Sequence, residues 1–381
     1  MEILQVTASY KPSEVYGGPT MSVSALCETL IAAGEYIEVL TTTANGKVEL
    51  PIVPGSQMIV DGVPVTYFSR LTKDHSHFSP ALLQALRIKM QGEKGPEIIH
   101  VHGWWNMVSV LSVILATRKN KPVVLSPRGM LSDYSFGNRK SLFKKIIFSL
   151  SRKALAQCHI HTTSIYEKVS IEALFTPKSI TVIPNFVDLP KTTEPAEDKN
   201  EGKLKLLFLS RIEEKKGLDI LFRTLAQVRF PYQLTIAGTG REKYLQQLRK
   251  EAESLGVARH IQWIGHQNNR AKFSVMQHHD LLILPSHDEN FANVVLESLA
   301  MGTAVLLSDQ VGLSDYVAEN GLGWISSPNE KDLTEMLGII ADSRLVLSRI
   351  RERAPALIRS DFSRDKLKTA YRLFYTKILG A

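Results

Sequence analysis

The stretch from Leu281 to Tyr316 restricts the possible folds more than any other part of the chain. An apolar run of strand length, Leu281–Leu284, stops at Pro285 and is followed by a polar loop. Apolar residues at helical spacing come next and end at Gly302, and a second apolar run starts at Ala304. This order predicts a strand, a loop, a helix and a parallel strand. In an open parallel sheet such a loop lies at the carboxyl edge, where ligands bind.

Two carboxylates flank the start of that predicted helix. Glu289 lies in the loop, Glu297 falls on the second helical turn, and Asn293 is predicted to be the N-cap. The free N–H groups that follow an N-cap favour a phosphate. A single acidic residue near a helix start commonly does no more than offset the helix dipole. The two acids and the amide donors together fit a phosphorylated ligand with many hydroxyl groups.

The wider sequence around these acids resembles a family signature. The string Pro285-Ser286-x-x-Glu289-x-Phe291, followed by Leu296-Glu297-Ser298-Leu299-Ala300-Met301-Gly302, is similar to that of retaining nucleotide-sugar glycosyltransferases of group 1, family four. The resemblance implies the α/β fold called GT-B, with two facing Rossmann-like domains and a C-terminal helix that crosses back to the first domain. Relatives often have Glu-Gly-Phe-Gly where this chain has Glu289-Asn290-Phe291-Ala292, so side chains narrow the loop here.

The length of the chain fits this two-domain arrangement. The 381 residues suit two domains of about 180 residues each. The predicted organisation is an N-terminal acceptor domain at residues 1–188, a polar linker at 189–203, a donor domain at 204–360 and a terminal helix at 361–381.

The composition is that of a globular protein with an excess of basic residues. The 46 Lys and Arg residues against 38 Asp and Glu leave a net charge of +8, which favours anionic partners. Cys27 and Cys158 stand in apolar contexts, which suggests a reducing compartment without disulfides. The N-terminus resembles a first strand more than a signal peptide, and the longest apolar run, Val108–Ala116, is shorter than the roughly 20 residues of a membrane span. We therefore expect a cytoplasmic protein that does not span the membrane.

Two adjacent glycines, Gly17 and Gly18, follow the first predicted strand and precede a helix. Glycines let backbone N–H groups approach a ligand closely, although a simple turn is the commoner explanation. Nothing after this strand fits G-x-G-x-x-G, which argues against a dehydrogenase. In the family that the chain resembles, a glycine loop at this point lies against the diphosphate of the donor.

A later predicted strand ends at His102-Gly103. His100 and His102 share one face of it, which raises the question of a metal, but no third ligand lies at a suggestive spacing and the resemblance implies an active site without one. The family's first domain carries a histidine here, close to the donor sugar. His102 is therefore a candidate site residue, with Trp104 and Trp105 as candidate walls of the acceptor pocket.

Basic residues follow the predicted strand Val123–Ser126. Arg128 could hold a phosphate or an acceptor carboxylate with two parallel hydrogen bonds. Residues 139–153 form a predicted amphipathic basic helix, with Leu142, Phe143, Ile146, Ile147 and Leu150 on one face and Phe148 among the bases. The basic face is either solvated or attached to an anionic membrane on the inner side, where a lipid-linked acceptor would be found. Nucleic acid is not an expected partner, because no binding motif accompanies the charge.

The second half repeats the strand-loop-helix pattern. Arg211 and Lys216-Gly217 follow the strand Leu204–Leu209 and resemble the family's segment of the form GR-(few residues)-KG. Isolated cations of this kind are usually surface charges. At a strand-to-helix turn, however, two cations can stabilise a departing diphosphate. At the end of the first half, Ser179–Asp188 resembles the family's strand and PNGVD turn, with Phe186 in place of the glycine.

The resemblance implies a set of contacts with the donor. The cations Arg211 and Lys216 would contact the diphosphate, and Glu289, beside Asn290, would contact the sugar hydroxyls. Glu297 would contact the ribose, and Gly265 would contact the base. Other donor oxygens would be contacted by Gly17, Gly18 and the backbone amides of Phe291, Ala292, Asn293 and Val294. His102, Glu289, Arg211 and Lys216 are the catalytic candidates. The favoured mechanism is a front-face displacement in which the leaving phosphate takes the acceptor's proton, with Glu289 as a nucleophile the less favoured alternative.

We therefore expect a retaining, metal-independent hexosyltransferase without a cofactor. Its expected donor is a nucleoside diphosphate sugar, with UDP-glucose ahead of UDP-galactose. Its expected acceptor is a saccharide or lipid-linked saccharide in the synthesis of an extracellular or surface polysaccharide. Two alternatives stay open from the sequence: a nucleotide-sugar 2-epimerase of the same architecture, which needs further carboxylates and histidines at the cleft, and a non-catalytic scaffold at a membrane surface.

Overall fold

The computed structural model describes residues 1–13, 15–92, 95–136, 141–190, 202–268 and 271–380, without the side chains of residues 133 and 141. Its strands, in chain order, are β1 Glu2–Val6, β2 Tyr36–Thr42, β3 Ala44–Asn45, β4 Val48–Glu49, β5 Gln57–Val60, β6 Val63–Phe68, β7 Ile98–His102, β8 Val123–Ser126, β9 His159–Thr162, β10 Ser179–Val182, β11 Leu204–Leu209, β12 Tyr232–Ala237, β13 Ile261–Gly265, β14 Leu281–Leu284, β15 Ala304–Ser308 and β16 Gly323–Ser326.

The α-helices of the described residues lie between the strands and, at the C-terminal end, after the last strand. They are α1 Gly18–Ala32, α2 Pro80–Lys89, α3 Met107–Arg118, α4 Asp133–Phe136, α5 Ser141–Leu155, α6 Ile165–Leu174, α7 Leu218–Leu225, α8 Glu242–Ser254, α9 Ala271–Gln277, α10 Asn293–Ala300, α11 Ser314–Glu319, α12 Glu330–Ala341, α13 Arg344–Asp361 and α14 Arg364–Leu379. Single 3-10 turns lie at Glu214–Lys216 and Ala258–His260.

The chain divides into two compact units. Unit 1 contains Met1–Phe186 and Arg364–Ala381, and unit 2 contains Val187–Ser363. Most of the predicted linker, residues 191–201, lies outside the described residues. The last helix starts at Arg364 and not at residue 361, because Asp361 ends α13, where its carboxylate accepts a hydrogen bond of 2.9 Å from the Tyr316 hydroxyl.

The sheet of unit 1 is doubly wound. In the described residues its strand order is β10-β9-β8-β7-β1-β2-β6-β5, and every pair is parallel except β5 with β6. The turn residues Asp61-Gly62, between alternating runs at residues 58–68, predict this pair as a hairpin from the sequence. Both turn residues have positive φ, as such a tight turn requires. The chain reverses its winding direction between β1 and β7. At such a switch point the loops separate and leave a crevice at the carboxyl edge.

Helices cover both faces of this sheet, which explains why its central strands β1, β7 and β8 are buried on both sides. On one face α2, α3 and α5 pack over residues such as Val101 and Leu125. On the other face α1 packs beside α14, which carries Tyr371 and Tyr375 into the core. Phe186, which replaces the family's glycine, packs against Tyr371 with stacked rings 5.6 Å apart.

The sheet of unit 2 has the order β13-β12-β11-β14-β15-β16, with all neighbours parallel. In sequence order this is 3-2-1-4-5-6, the arrangement of dinucleotide-binding sheets. Strands β14 and β15 are buried along their whole length, as the uninterrupted apolar runs predict. The switch point lies between β11 and β14, the two strands that carry the predicted cations and the predicted acid.

Candidate functional site

The turn after β11 and the loop after β14 contact each other at the carboxyl edge of unit 2. Gly217 follows the 3-10 turn with φ of 69°, and a Cβ there would lie 2.2 Å from the carbonyl oxygen of Pro285. Only glycine allows this approach. The backbone N–H of His287 also donates to the carbonyl of Lys215 at 2.8 Å. The topology therefore brings together two segments that the sequence separates by about seventy residues.

Lys216 and Glu289 form an ion pair between these two segments, in which the lysine is buried and the glutamate side chain is 19% exposed. The lysine ammonium donates directly to the glutamate carboxylate. Burial alone would raise the pKa of Glu289, but the charges of Lys216, Lys215 and Arg211 outweigh burial and hold that pKa below its ordinary value. Glu289 is therefore an ionised hydrogen-bond acceptor at neutral pH and not a proton donor.

Arg211 stands on the same side of the switch point with a more exposed side chain. It forms an ion pair of 3.1 Å with Glu213, and 63% of the arginine side chain is exposed. An exposed pair of this kind is weak, so the guanidinium can exchange its partner for a ligand at little cost. Gly265 ends β13, the edge strand on the same side of the sheet, with a φ of 68° and open space around its Cα.

The loop before α10 differs from the prediction by one residue. Asn293 is the first residue of the helix, and the cap position belongs to Ala292, which adopts a left-handed conformation with φ of 64°. Alanine pays a steric penalty there that glycine avoids. The loop is nevertheless held firmly, because the backbone of Glu289 accepts from Gly312 at 2.8 Å and donates to Gln310 at 3.0 Å.

Glu297 lies on the second turn of α10, as predicted, and is buried. Its carboxylate accepts a hydrogen bond of 2.8 Å from the ammonium of Lys272 on α9. No signal in the sequence points to Lys272, because a single lysine in a short helix belongs to no motif. The lysine fixes the direction of the carboxylate and balances its charge.

In unit 1, the loops after β1 and β7 flank the switch point. Gly17 precedes α1 with φ of 62°, and Gly18 is exposed at the first position of that helix. The carboxyl edge of unit 1 therefore carries the predicted glycine loop beside the strand that ends at His102.

The imidazole of His102 is buried, and both of its nitrogens have protein partners. Nε2 lies 2.7 Å from Oε1 of Gln5, and Nδ1 lies 3.3 Å from Nη2 of Arg128. An arginine can only donate, so Nδ1 accepts and the proton of the neutral ring is on Nε2. Burial, with the charges of His100 and Arg128, holds the pKa of His102 well below its ordinary value.

A one-way chain of hydrogen bonds lies beneath His102. His161 Nε2 donates to the carbonyl of Ile183 at 2.8 Å, which leaves Nδ1 to accept from Ser126 at 2.6 Å. Ser126 in turn accepts from His100 Nε2 at 2.6 Å, and His100 Nδ1 accepts from the Tyr375 hydroxyl at 2.7 Å. Each ring carries one proton and is neutral. Helix α14 is thereby tied to the ends of β7 and β8.

The two predicted pocket tryptophans lie in different environments. Trp104 is only 1% exposed and packs in the core, so it cannot be an open pocket wall. Trp105 is half-buried, donates from Nε1 to the Met130 carbonyl and lies under the Lys144 ammonium, 5.3 Å from the ring centre. It remains the tryptophan that a ligand could reach.

Arg128 forms the turn after β8. Its guanidinium donates to Asn185 Oδ1 at 2.9 Å and to His102 at 3.3 Å. His100 and His102 do lie on one face, with ring centres 4.1 Å apart. Within the described residues, no three or more His, Cys, Asp or Glu side chains are grouped so that they could hold a metal ion.

Helix α5 is amphipathic, but its faces differ from the prediction. Ile147 and Phe148 pack against the core, whereas four apolar side chains are exposed: Leu142 by 72%, Phe143 by 62%, Ile146 by 50% and Leu150 by 78%. Part of the predicted basic segment, residues 139 and 140, lies outside the described residues. None of the described helices combines the length and the apolar character needed to cross a membrane.

Two family models match consecutive parts of the chain. The model of glycosyltransferase family 4 matches residues 16–191, and the model of group 1 glycosyl transferases matches residues 191–355. Among curated proteins, a glycogen synthase of Mycobacterium tuberculosis is 26% identical, with 98% of this chain and 94% of that protein covered. A phosphatidyl-myo-inositol mannosyltransferase of Mycolicibacterium smegmatis is 27% identical over 92% of this chain and 88% of its own.

Solved structures share the fold at lower identity. Sucrose-phosphate synthase from Thermosynechococcus elongatus has a TM-score of 0.77 and 15% identity, with both chains covered completely. HepE of Anabaena, solved in complex with UDP-glucose, has a TM-score of 0.73 and 16% identity over 99% of this chain and 100% of its own. The predicted GT-B fold is confirmed. With family models that together extend from residue 16 to residue 355, this chain belongs to the group 1, family 4 glycosyltransferases.

Proposed function

We propose that this glycosyltransferase transfers a hexose from a UDP-hexose such as UDP-glucose to a saccharide or lipid-linked saccharide, with retention at the anomeric carbon and without a metal or cofactor. The product would be part of a surface or extracellular polysaccharide. The observation that carries the proposal is the ionised Glu289 held by Lys216 between the two loops at the switch point of unit 2. The HepE complexes with UDP and UDP-glucose support the choice of UDP as the nucleotide, and the similarity to a protein named glycogen synthase supports glucose as the sugar.

The charges in unit 2 match the parts of such a donor. Lys216 and the exposed Arg211 would neutralise the diphosphate as it leaves. The amides of residues 291–294 at the start of α10, with Gly17 and Gly18, would contact donor oxygens. Glu289 would accept hydrogen bonds from the sugar, and Glu297 would accept them from the ribose hydroxyls. Gly265 would leave room for the base.

The proposed reaction is a front-face displacement. The acceptor oxygen bonds to the anomeric carbon on the face from which the phosphate leaves, the bond from that carbon to the phosphate oxygen breaks, and the acceptor's proton passes to the phosphate. Glu289 is engaged with Lys216, which favours a supporting role over one as nucleophile. His102 has both nitrogens occupied, so it would orient neighbouring groups and would not transfer a proton itself.

Calorimetric titration with UDP-, GDP- and ADP-sugars tests the donor, and we expect UDP-glucose to bind most tightly. Glu289→Ala should abolish sugar transfer while circular dichroism shows an intact fold. Glu214→Gln is the matched control, because Glu214 pairs on the surface with the exposed Arg241. Full transfer activity in Glu289→Ala would refute the assigned role, and conversion of donor to an epimer without acceptor would favour the epimerase.

We also propose that α5 contacts an anionic membrane through its exposed apolar side chains, with Lys145, Arg152 and Lys153 beside them. Flotation with vesicles tests this. The wild-type protein should float with anionic vesicles, and Leu142→Ser combined with Leu150→Ser should reduce the floated fraction severalfold. Binding that is unchanged in this variant would refute the contact without affecting the proposed transfer.

A further inference from the structure

We propose that Arg128 binds an anionic group of the acceptor, a phosphate or a carboxylate, and that His102 and Asn185 are positioning residues that direct its guanidinium. The inference rests on the proposed glycosyl transfer and adds the charge class of the acceptor to it.

The positive charge of Arg128 is not balanced by its hydrogen-bond partners. Its two hydrogen-bond acceptors, Asn185 Oδ1 and His102 Nδ1, are both neutral. Nε is buried without a hydrogen-bond partner. In the part of the chain that the structure describes, Arg128 makes no ion pair with an Asp or Glu side chain. A deeply set cation without a counter-charge is costly, and an anion from the substrate would remove that cost.

Glu167, an acid near Arg128, forms its hydrogen bonds with backbone N–H groups and not with the guanidinium. Glu167 on α6 is close enough to influence the Arg128 guanidinium through space. Its carboxylate, however, accepts from the backbone N–H of Gly129 at 2.6 Å and of Thr163 at 2.8 Å. These bonds hold the turn that carries Arg128, and they leave the guanidinium without a direct carboxylate contact.

The backbone of the turn that carries Arg128 is strained. Arg128 adopts a left-handed conformation with φ of 54°, and Gly129 follows with φ of 76°. For a residue with a side chain this conformation is less stable than a right-handed one. Strained residues persist where the surrounding structure holds them, and they concentrate at ligand-binding sites. Here the strained turn holds the Arg128 guanidinium at the carboxyl edge of the sheet, beside His102 at the end of β7.

The two neutral partners, His102 and Asn185, fix the orientation of the Arg128 guanidinium. The Gln5 amide fixes the proton of His102 on Nε2, so Nδ1 can only accept from Arg128. Asn185 holds the other terminal nitrogen. With one hydrogen of each terminal nitrogen used in this way, the guanidinium is held in one orientation. Its planar fork matches the two oxygens of a carboxylate or phosphate.

The acceptor is a better match than the donor for this cation. The donor diphosphate already has proposed partners in Arg211 and Lys216, which belong to unit 2. Arg128 belongs to unit 1, the part that the family resemblance assigns to the acceptor. A phosphate or a uronic acid carboxylate offers the same chemistry to the guanidinium, so the experiment must separate the two.

The test uses the full chain and three probes: methyl glucoside, its 6-phosphate and methyl glucuronide. Affinity is measured by calorimetry in the presence of UDP, and transfer is measured with UDP-glucose. We expect the wild type to prefer one of the anionic probes to methyl glucoside by about 10- to 100-fold. Preference for the phosphate identifies a phosphorylated acceptor, and preference for the glucuronide identifies an acidic sugar. Equal affinity for all three probes would refute the proposal.

Five variants sharpen the test. Arg128→Met should bring the ratio between anionic and neutral probes close to one, whereas Arg118→Met, at an exposed position on α3, should leave it unchanged. Asn185→Asp keeps an acceptor of the same shape but adds a counter-charge, so it should also remove the preference. His102→Asn should retain the ratio better than His102→Phe, because an amide oxygen can replace Nδ1 as acceptor.

The outcomes separate this inference from the proposed function. A loss in Arg128→Met that is equal for all probes would indicate a structural role, and an equal loss of UDP-glucose affinity would indicate a donor contact. Either result overturns the inference. If the wild type failed to bind any nucleotide sugar, the proposed function would fail, while the comparison of probe affinities would still decide on Arg128.

Discussion

The two units have the same type of doubly wound sheet but balance charge at their carboxyl edges in opposite ways. In unit 2 the candidate residues occur as ion pairs, Lys216 with Glu289 and Lys272 with Glu297. In unit 1 the corresponding edge holds neutral histidines and a guanidinium without a carboxylate partner among the described residues. Unit 2 balances these charges itself, whereas in unit 1 the nearby Glu167 binds backbone N–H groups, and we propose that a ligand balances the charge of Arg128.

This difference indicates different tasks for the two edges. Paired charges of both signs suit a ligand whose own charge changes during a reaction, because neither partner is left isolated when the ligand departs. An unpaired cation held by neutral groups suits recognition of a permanent anion.

The largest effect should come from breaking the Lys216–Glu289 pair. Lys216→Met and Glu289→Gln should each lower kcat for sugar transfer by about 10²–10³-fold, as loss of one preorganised charge contact typically does. The double variant should lose less than the product of the two, because the partners are coupled. Steady-state kinetics at saturating donor measures this. Strictly additive losses would show that the two residues act independently.

The second prediction concerns the stability of the two units at acidic pH. Burial, with the charge of Arg128, lowers the pKa of His161 to about 3, and the pKa values of His100 and His102 also lie well below the ordinary 6.5. The unfolded chain takes up protons below about pH 6.5 and the folded chain does not, so stability falls as the pH decreases through that window. At pH 5 His161 alone should cost unit 1 about 2 kcal/mol.

Hydrogen exchange with mass spectrometry, corrected for the intrinsic effect of pH, can follow the two units separately. Protection of β7, β8 and β9 should decrease between pH 7 and pH 5, and more than protection of β11 and β14. The stabilising contribution of Glu289, whose pKa is lowered on folding, is also lost on acidification, but only below its ordinary pKa of 4.5 and so outside this range. Between pH 8 and pH 7 neither unit should change. If the amides of unit 2 lost protection at a higher pH than those of unit 1, the contrast between the two units would be wrong.

The third prediction concerns Lys272. Lys272→Met leaves the buried Glu297 carboxylate without its ammonium partner, and the carboxylate should lose its orientation. We expect the KM for the donor to rise by about tenfold with a small change in kcat, because the ribose is remote from the reacting bond. Lys250→Met, at an exposed position on α8, is the control. A kcat effect larger than the KM effect would place Glu297 nearer to the chemistry.

The smallest effect should follow from Ala292→Gly. The left-handed φ of 64° penalises alanine, so glycine should raise the free energy of unfolding by about 1 kcal/mol or less. Ala300→Gly, at the other end of the same helix, should lower it, because glycine is a poor helix former there. Denaturant titration of both variants measures the difference in sign. Destabilisation by Ala292→Gly would show that the methyl group is needed for packing.

The sequence was sufficient for features that depend on neighbouring residues. The strand at Leu281–Leu284, the hairpin around Asp61-Gly62 and the position of Glu297 on the second turn of α10 agree with their predictions. Periodicity and turn residues act over short distances in the chain, so they can be interpreted without the fold. The predicted N-cap at Asn293 was wrong by one residue, since the boundary depends on the backbone conformation of Ala292.

The faces and partners of side chains were harder to predict. Trp104 and Trp105 are adjacent, yet only the second is accessible, and Ile147 of α5 packs inward while Ile146 is exposed. Lys272 meets Glu297 across 25 residues, and Arg128 meets Asn185 across 57. No local pattern marks such pairs. Because the position of one partner depends on how two elements pack, only the folded chain brings them together.

The succession of strands and helices, the family resemblance, and the acids and cations of the motifs could be inferred from the sequence. These are encoded in spacing along the chain, which folding does not alter. Which charges are paired depends instead on strand order at each switch point, so it could be known only from the folded chain. The parallel topology joins Lys216 to Glu289. The return of α14 joins Tyr375 to His100 across 275 residues, beneath the turn that carries Arg128.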